Sequence, residues 1–146
     1  MCKICRDEIK GNEKYLDCSG CPNVEIIPSK LKNLKRLICF NCKNLKDIQI
    51  NKLEYLDCSR CPRLKFIPYL CGIKEIICYR CDLLITIDFK NITLKYLDCY
   101  GCDSLMVISK NFNLKELHCS DCSNLHEIPE QCDFIFRSNC EKLIVS

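Results

Sequence analysis

Paired cysteines are the residues of this chain whose type and spacing most directly predict chemistry. Seventeen of the 146 residues are cysteine, and most of them occur as Cys-x-x-Cys, a spacing typical of zinc sites and of redox motifs. One pair lies in the stretch LEYLDCSRCPRLKFIP, residues 53–68. The leucines of this stretch are also three residues apart, so packing in a core is the competing interpretation of the pair.

The pair belongs to a repeated frame, L-x-x-L-x-C-x-x-C-x-x-L-x-x-I. Copies occupy residues 13–27, 34–48, 53–67, 73–87, 94–108 and 114–128. The second cysteines of successive copies are 19 to 21 residues apart. A degraded seventh copy over residues 132–146 keeps Ile135, Cys140 and Leu143 in the frame but has Arg137 in place of the first cysteine. Repetition at a fixed period predicts a repeat fold rather than a set of separate cysteine sites.

The centre of each copy predicts a short β-strand, because apolar and polar residues alternate there. In the third copy, Leu56 and Cys58 are expected to point inward, whereas Tyr55, Asp57 and Ser59 point outward. One such strand cannot bury its apolar side alone, so we expect the copies to stack and their strands to pair in parallel, about 4.8 Å apart. The rest of each unit is long enough for an extended or 3₁₀ return segment but not for a full helix.

The frame resembles the leucine-rich repeat, L-x-x-L-x-L-x-x-N/C-x-L. Its L-x-x-I-P tail, at residues 64–68 and 125–129, is similar to repeats of plant disease-resistance receptors, and the cysteine-rich version is similar to repeat proteins of giant amoebal DNA viruses. The resemblance implies a repeat solenoid with parallel β-strands on the concave side, short extended or 3₁₀ convex segments and few or no full helices. We divide the chain into an N-terminal cap (1–12), six repeats (13–131) and a degenerate seventh repeat or C-terminal cap (132–146).

Stacking predicts that the paired cysteines are core residues, since a free thiol packs as a small apolar group with a weak donor. The second cysteine of each pair could donate to a backbone carbonyl at the bend. We therefore expect no cofactor and no metal. Two alternatives remain open: disulfides between neighbouring thiols, and a four-thiolate structural zinc site formed by Cys2, Cys5, Cys18 and Cys21. Cys71 and Cys132 lie outside the repeated cysteine positions.

Composition and charge exclude several classes of protein. Apolar residues make up 48% of the chain and charged residues 28%, which is typical of a globular protein. The net charge of +3 indicates neither nucleic acid nor membrane as a partner. The first residues, MCKICRDEIKGNEK, lack the apolar core of a signal peptide, and no apolar run is as long as a membrane span. Many thiols without an export signal predict a reducing compartment, which is the cytoplasm, or the host cytoplasm or virion if the protein is viral.

Three outward columns of residues follow from the predicted strands. The first column is Tyr15, Arg36, Tyr55, Glu75, Tyr96 and Glu116; the second is Asp17, Ile38, Asp57, Ile77, Asp98 and His118; the third is Ser19, Phe40, Ser59, Tyr79, Tyr100 and Ser120. Five of the six tyrosines therefore lie on one face. Because Tyr and Arg are enriched at interface hot spots, we predict a protein-binding face. Its residues are Tyr15, Asp17, Arg36, Ile38, Phe40, Tyr55, Asp57, Ile77, Tyr79, Tyr96, Asp98, Tyr100 and His118. The simpler interpretation is that aromatic and β-branched residues suit strands.

A lysine row lies at the position after the first leucine of the frame. Its members are Lys14, Lys35, Lys74, Lys95 and Lys115, and Glu54 interrupts the row. Such a row could follow phosphates, but it is more typical of a solvated strand end that keeps the sheet soluble. We therefore expect no nucleic-acid partner.

Catalytic motifs are missing from the sequence. The only histidines are His118 and His126. His118 faces outward and the neighbouring Cys119 inward, so the two cannot form a Cys–His pair, and no phosphate loop, G-x-S-x-G or H-E-x-x-H occurs. We predict a protein that is not an enzyme: a binding module or scaffold that recognises a protein partner through an aromatic and acidic concave face. The alternative is a structural or self-associating repeat protein, such as a virion component, with or without a structural zinc at the N-terminal cysteines.

Overall fold

The protein is a parallel-strand solenoid of about six turns, as described by a computed structural model that covers residues 1–90 and 93–143. Its strands are β1 (Tyr15–Asp17), β2 (Ile26–Ile27), β3 (Arg36–Ile38), β4 (Asp47–Ile48), β5 (Tyr55–Asp57), β6 (Glu75–Ile77), β7 (Thr86–Ile87), β8 (Tyr96–Asp98), β9 (Val107–Ile108), β10 (Asn113–His118) and β11 (Gln131–Phe136). No helix occurs in the described residues. The fold predicted from the repeat is confirmed.

The main sheet contains seven parallel strands in the order β1-β3-β5-β6-β8-β10-β11. Equivalent positions of the frame lie side by side in neighbouring strands: Leu37 pairs with Leu16 on one side and with Leu56 on the other. Each repeat therefore contributes one strand, and the sequence period becomes the spacing between strands, about 4.8 Å.

The return side of each turn is extended, because too few residues remain for a helix. Two small parallel sheets lie there, β2 with β4 and β7 with β9. Single bridges extend the second of these sheets on both sides, where Phe66 pairs with Thr86 and Val107 pairs with Glu127. A tight turn links each cysteine pair to this side; in the third repeat the Leu64 N–H donates to the Cys61 carbonyl at 3.1 Å.

The core is a set of stacked columns in which the leucines, isoleucines and paired cysteines of the frame are buried. Twelve of the 17 cysteines are buried, and all 17 are free thiols. Leu37, Leu56 and Leu97 are fully buried. Burial of one such leucine contributes roughly 1.5–3 kcal/mol, so the repetition itself supplies the apolar area that a three-residue strand lacks.

A left-handed residue follows the main-sheet strand in each of the seven repeats, directly before the second cysteine of the frame. These residues are Gly20, Asn41, Arg60, Arg80, Gly101, Asp121 and Asn139, with φ between 53° and 66°. Glycine, asparagine and aspartate adopt this conformation most readily, whereas an arginine loses about 1–2 kcal/mol there. The bend turns each N–H toward the next turn of the solenoid; Arg60 N–H donates to the Tyr79 carbonyl at 2.9 Å.

The seventh copy continues the main sheet as β11. Cys132, which the repeat frame leaves unassigned, pairs with Leu114 and so occupies the position of the first leucine. Ile135 pairs with Leu117 in the same strand. Cys71 lies on the surface before β6, where its backbone pairs with Lys52. The division of the chain into a cap, six repeats and a seventh degenerate repeat stays a prediction.

Candidate functional site

The predicted binding face lies on the outer side of the main sheet. Its thirteen residues are in six of the seven strands, β1 to β10, or two positions beyond a strand end, and none of them is buried. Tyr15 is 52% exposed and Tyr100 is 37% exposed, while most of the others are half-buried by their neighbours. The sheet therefore holds the aromatic rings in fixed rows and leaves their outer sides open to solvent.

Arg36 and Tyr55 form a stacked pair on this face. They are direct neighbours in the pairing of β3 with β5, and the Arg36 guanidinium carbon lies 3.6 Å from the centroid of the Tyr55 ring. Burial and the nearby Asp57 carboxylate raise the pKa of Tyr55, so its hydroxyl stays a donor at neutral pH. A guanidinium held on a ring is already ordered before a partner binds, which reduces the entropy lost on binding.

A second aromatic pair covers Ser59, and the prediction that this serine points into solvent is wrong. Phe40 and Tyr79, from the repeats before and after, lean together until their ring centroids are 6.3 Å apart. Ser59 lies between them and is fully buried because it is too small to separate the rings. The Arg60 guanidinium lies 5.8 Å from both centroids and completes the cluster.

The aspartates of the face have a structural role. One oxygen of each carboxylate accepts the backbone N–H two residues later, the arrangement of an Asx turn. The pairs are Asp17 with Ser19 at 2.9 Å, Asp57 with Ser59 at 3.0 Å and Asp98 with Tyr100 at 3.0 Å. The side-chain and backbone hydrogen bonds of Ser19 lower the pKa of Asp17. The aspartates thus end the strands and still present negative charge to solvent.

The outer columns alternate between two kinds of repeat. The strands β1, β5 and β8 all have the sequence Tyr-Leu-Asp, and the strands between them, β3 and β6, have a charged residue followed by two apolar ones. Along the second column, aspartate therefore alternates with Ile38 and Ile77. Equivalent groups on the face are two strands apart, about 9.6 Å.

Four further residues belong to this surface but were not predicted from the sequence. Phe134 and Phe136 extend the first two columns onto β11, where they are 66% and 51% exposed. The Phe136 ring stacks on His118 at 4.4 Å between centroids. Arg60 and Arg80 were missed as well, and the Arg80 guanidinium lies 6.0 Å from the Tyr100 centroid. The in-frame Ile135 is the sequence signal that could have revealed the two phenylalanines.

The lysine row is partly neutralised. Glu54, which interrupts the row, forms ion pairs with Lys35 at 2.8 Å and Lys74 at 3.1 Å. Hydrogen bonds from these two lysines, together with their charges, lower the pKa of Glu54 to about 2. Because two of the five lysines share a carboxylate, the row resembles a solvated strand end more than a phosphate-binding track.

Comparison with protein families adds one match: the model of the Leucine Rich Repeat family matches residues 14–34. This segment contains β1, the first cysteine pair and the return segment. Fold and family model together fit a leucine-rich repeat protein. No curated protein and no solved structure matches the chain at a significant level. The finer similarity to plant-receptor and viral repeats stays a prediction.

The leucine-rich repeat solenoid is generally a non-enzymatic scaffold for protein interactions. In the part of the chain that the structure describes, no helix has the length and apolar character needed to cross a membrane. The family match and the solenoid fold support an interaction module as the broad class of function.

The second cysteines of the repeats form a ladder of hydrogen bonds. From the second repeat onward, each thiol donates to the backbone carbonyl of the first cysteine in the repeat before it, at 2.9–3.1 Å. These sulfurs therefore pack as core groups and satisfy buried carbonyls, the role expected of stacked thiols.

The first cysteines of the same repeats are held as unreactive thiols. In the central repeats, a hydrogen bond with the second cysteine of the next repeat and complete burial raise the pKa of the first cysteine well above the ordinary range. These first cysteines are Cys39, Cys58, Cys78 and Cys99. A thiol that does not ionise is neither a good nucleophile nor a metal ligand at neutral pH. The environment of these first cysteines therefore disfavours nucleophilic chemistry at their sulfurs.

The four N-terminal cysteines are not all together. The sulfurs of Cys2, Cys5 and Cys21 lie within 4.8 Å of one another. Cys18 lies outside this group, buried at the head of the first-cysteine column, and its carbonyl accepts the Cys42 thiol at 3.0 Å. Three thiols of the predicted set thus converge and the fourth belongs to the core.

Proposed function

We propose that this leucine-rich repeat protein is a non-catalytic module that binds a protein partner through the outer face of its main sheet. The stacked pair of Arg36 and Tyr55 is the observation that carries the proposal. An arginine ordered on a half-buried tyrosine within an extended face matches the residue types of interface hot spots.

The chemistry of the face indicates what the partner presents. Aromatic rings and the isoleucines Ile38 and Ile77 offer apolar contacts, and the carboxylates of Asp17, Asp57 and Asp98 lie between them. We infer a partner segment with apolar side chains flanked by lysine or arginine. We also place the encounter in the cytoplasm, because stacked free thiols persist in a reducing compartment.

The test replaces three tyrosines of the face, Tyr55→Ser, Tyr79→Ser and Tyr96→Ser, in one variant. Loss of a hot-spot side chain weakens binding by about 2 kcal/mol, so capture of the partner from cell lysate should fall about a hundredfold or more. Quantitative mass spectrometry of proteins captured by the wild type and by the variant measures the change. Circular dichroism and thermal melting establish that the variant is folded.

The matched control changes three exposed apolar residues on the return side, Phe66→Ser, Ile85→Ser and Met106→Ser. These side chains are 38–56% exposed and lie away from the main sheet. The partner should still bind this control. If the control loses the partner and the tyrosine variant keeps it, the return side is the binding surface and our assignment is wrong.

Self-association is a second candidate, favoured by the end of the sheet. The edge strand β11 carries the exposed Phe134 and Phe136, and no described residue forms a strand beyond it. An uncovered edge with apolar side chains can pair with another copy. Light scattering during size-exclusion chromatography tests this candidate: a mass that rises with concentration, and that returns to the monomer in a Phe134→Ser, Phe136→Ser variant, would support it over a separate partner.

A further inference from the structure

The cap presents two thiols on one side of a single helical turn. Cys2 and Cys5 are three residues apart, a spacing that places side chains on the same side of a helical turn. The turn is closed by a hydrogen bond from the Glu8 N–H to the Lys3 carbonyl at 3.0 Å, with Asp7 in the left-handed conformation at φ 54°. This is a Schellman motif, so the turn has a defined end and the two sulfurs have a defined position, 3.8 Å apart.

The third thiol is available because the ladder of second cysteines begins at Cys21. Each later second cysteine donates to a carbonyl of the preceding repeat, but Cys21 is in the first repeat and has the cap before it. Its sulfur instead lies 3.5 Å from the sulfur of Cys5. The cap thus places Cys2 and Cys5 next to Cys21, the second cysteine that makes no hydrogen bond of the ladder type.

We propose that Cys2, Cys5 and Cys21 form a three-thiolate site for one zinc ion. Zinc binds thiolate at about 2.3 Å, which places two sulfurs of a tetrahedral site about 3.8 Å apart. The two sulfur contacts, 3.5 and 3.8 Å, are close to this separation before any ion binds. On binding, the three S–H protons pass to solvent, and the fourth position on zinc is left to water because Cys18 is committed to the core.

Zinc binds cysteine as the thiolate, so uptake of the ion at this site should weaken as the pH falls. Thiolate sulfur prefers soft and borderline ions such as zinc to magnesium or calcium.

Bound zinc would link the cap to the first repeat. Residues 2–5 reach the repeat stack through partly buried contacts of Cys2, Ile4 and Cys5 with the core. Three metal–sulfur bonds would fix the cap over the end of the first turn, where the main sheet has no preceding strand. The consequence is a protected N-terminal end of the solenoid, a role that is independent of the outer face.

The test uses the full chain, reduced and freed of metal, titrated with Co²⁺ and then with Zn²⁺. We expect one Co²⁺ per chain, with the near-ultraviolet charge-transfer band of cobalt–thiolate bonds and the visible bands of a tetrahedral site, both removed by one equivalent of Zn²⁺. The Cys5→Ser variant should bind zinc at least about tenfold more weakly. The Cys71→Ser variant, which changes an exposed thiol outside the cluster, should bind as the wild type does.

Alkylation of the wild type tests whether zinc covers the cap thiols, and a Cys18 variant separates three ligands from four. Zinc should slow the modification of Cys2 and Cys5, both partly exposed, and leave that of Cys71 unchanged. In the Cys18→Ala variant, checked for folding by circular dichroism, zinc affinity should be retained. Titration without a stoichiometric end point, or equal affinity in the Cys5→Ser variant, would overturn the proposal; loss of zinc in a folded Cys18→Ala variant would replace it with the four-thiolate site.

Discussion

At the residue scale, the second cysteine of each pair occupies the bend position that asparagine or cysteine takes in a leucine-rich repeat. The Cys61 thiol is fully buried and donates to the Cys39 carbonyl at 3.1 Å. Cysteine suits the position because its sulfur fills space as an apolar group and its proton still satisfies a buried acceptor. The Cys-x-x-Cys spacing arises here from the geometry of a strand followed by a left-handed bend.

Replacement of one ladder thiol tests this role. The Cys61→Ala substitution removes the donor and leaves a small cavity, so the free energy of unfolding should fall by about 1–2 kcal/mol. Urea unfolding followed by circular dichroism measures the change. The Cys71→Ala substitution, at an exposed position, should stay within about 0.5 kcal/mol of the wild type. Equal stability of both variants would show that the ladder contributes nothing.

At the scale of the element, each strand is only as stable as its neighbours make it. A three-residue strand such as β5 has Leu56 as its single inward side chain, and its outward residues pack against the strands on either side. Contacts between repeats therefore determine how the inward side chains pack in the core and how the outward side chains are arranged on the surface. Ion pairs act in the same way at the start of the strands, where Glu54 links three successive repeats through Lys35 and Lys74.

The pH dependence of these ion pairs has a defined sign. Glu54 has a lowered pKa of about 2 because of the two lysines, so its contribution to stability is complete above the ordinary glutamate pKa of about 4.3 and is lost as the pH falls through about 2. The Glu54→Gln variant should be less stable than the wild type at pH 7 and low salt. The difference should shrink between about pH 4.3 and 2 and when salt is added, because the site is exposed. Thermal melting across this range is the measurement; a difference that grows on acidification would contradict it.

The sequence predicts the interior of these elements better than their surface. Leucine and cysteine positions follow the frame because every repeat must present the same shape to the next. Burial of Ser59 was not predictable in this way, since it depends on the sizes of Phe40 and Tyr79, which belong to two other repeats. The left-handed bend was also hidden in the third repeat, where arginine occupies a position that glycine or asparagine would have revealed.

The ends of the chain departed furthest from the sequence interpretation. The alternative left open by the sequence, a site of Cys2, Cys5, Cys18 and Cys21, required all four thiols to meet, but the helical turn brings the cap thiols only to Cys21. At the other end, Phe134 and Phe136 join the outer columns although their repeat has lost its first cysteine. A repeat pattern predicts a residue's position best where repeats pack on both sides of it. End repeats have a neighbour on one side only, so the pattern predicts them less well.

At the scale of the whole molecule, stability is the sum of contacts between adjacent repeats. A solenoid has no contacts between distant repeats, so the central turns are supported from two sides and the terminal ones from one. The free energy needed to open a repeat and expose its buried thiols should therefore be greatest in the middle of the chain. The graded burial of the thiols agrees, since Cys132 and Cys140 in the last repeat are partly exposed and the central pairs are not.

The thiols themselves can report this gradient. In reduced, metal-free protein, the five cysteines that are not buried should be alkylated before the twelve buried ones, because only they are open to the reagent. In urea below the unfolding midpoint, Cys119 and Cys122 should react before Cys58 and Cys61, because the terminal repeats open at lower free energy. Mass spectrometry of labelled peptides gives the order. Simultaneous labelling of all pairs would mean that the chain unfolds as one cooperative unit.

The alternation of the outer residues from strand to strand limits which insertions of repeats would preserve the surface pattern. Insertion of a single repeat would leave the interior sulfurs aligned. It would, however, place two Tyr-Leu-Asp strands, or two strands of the charged–apolar–apolar kind, side by side. The outer residues beyond the insertion would then no longer follow the alternation. Insertion of two repeats, about 40 residues, preserves the outer pattern while lengthening it. The unit of duplication compatible with the surface is thus twice the unit that suffices for folding, and variants that differ by an even number of repeats are the ones in which the same ligand contacts could be kept.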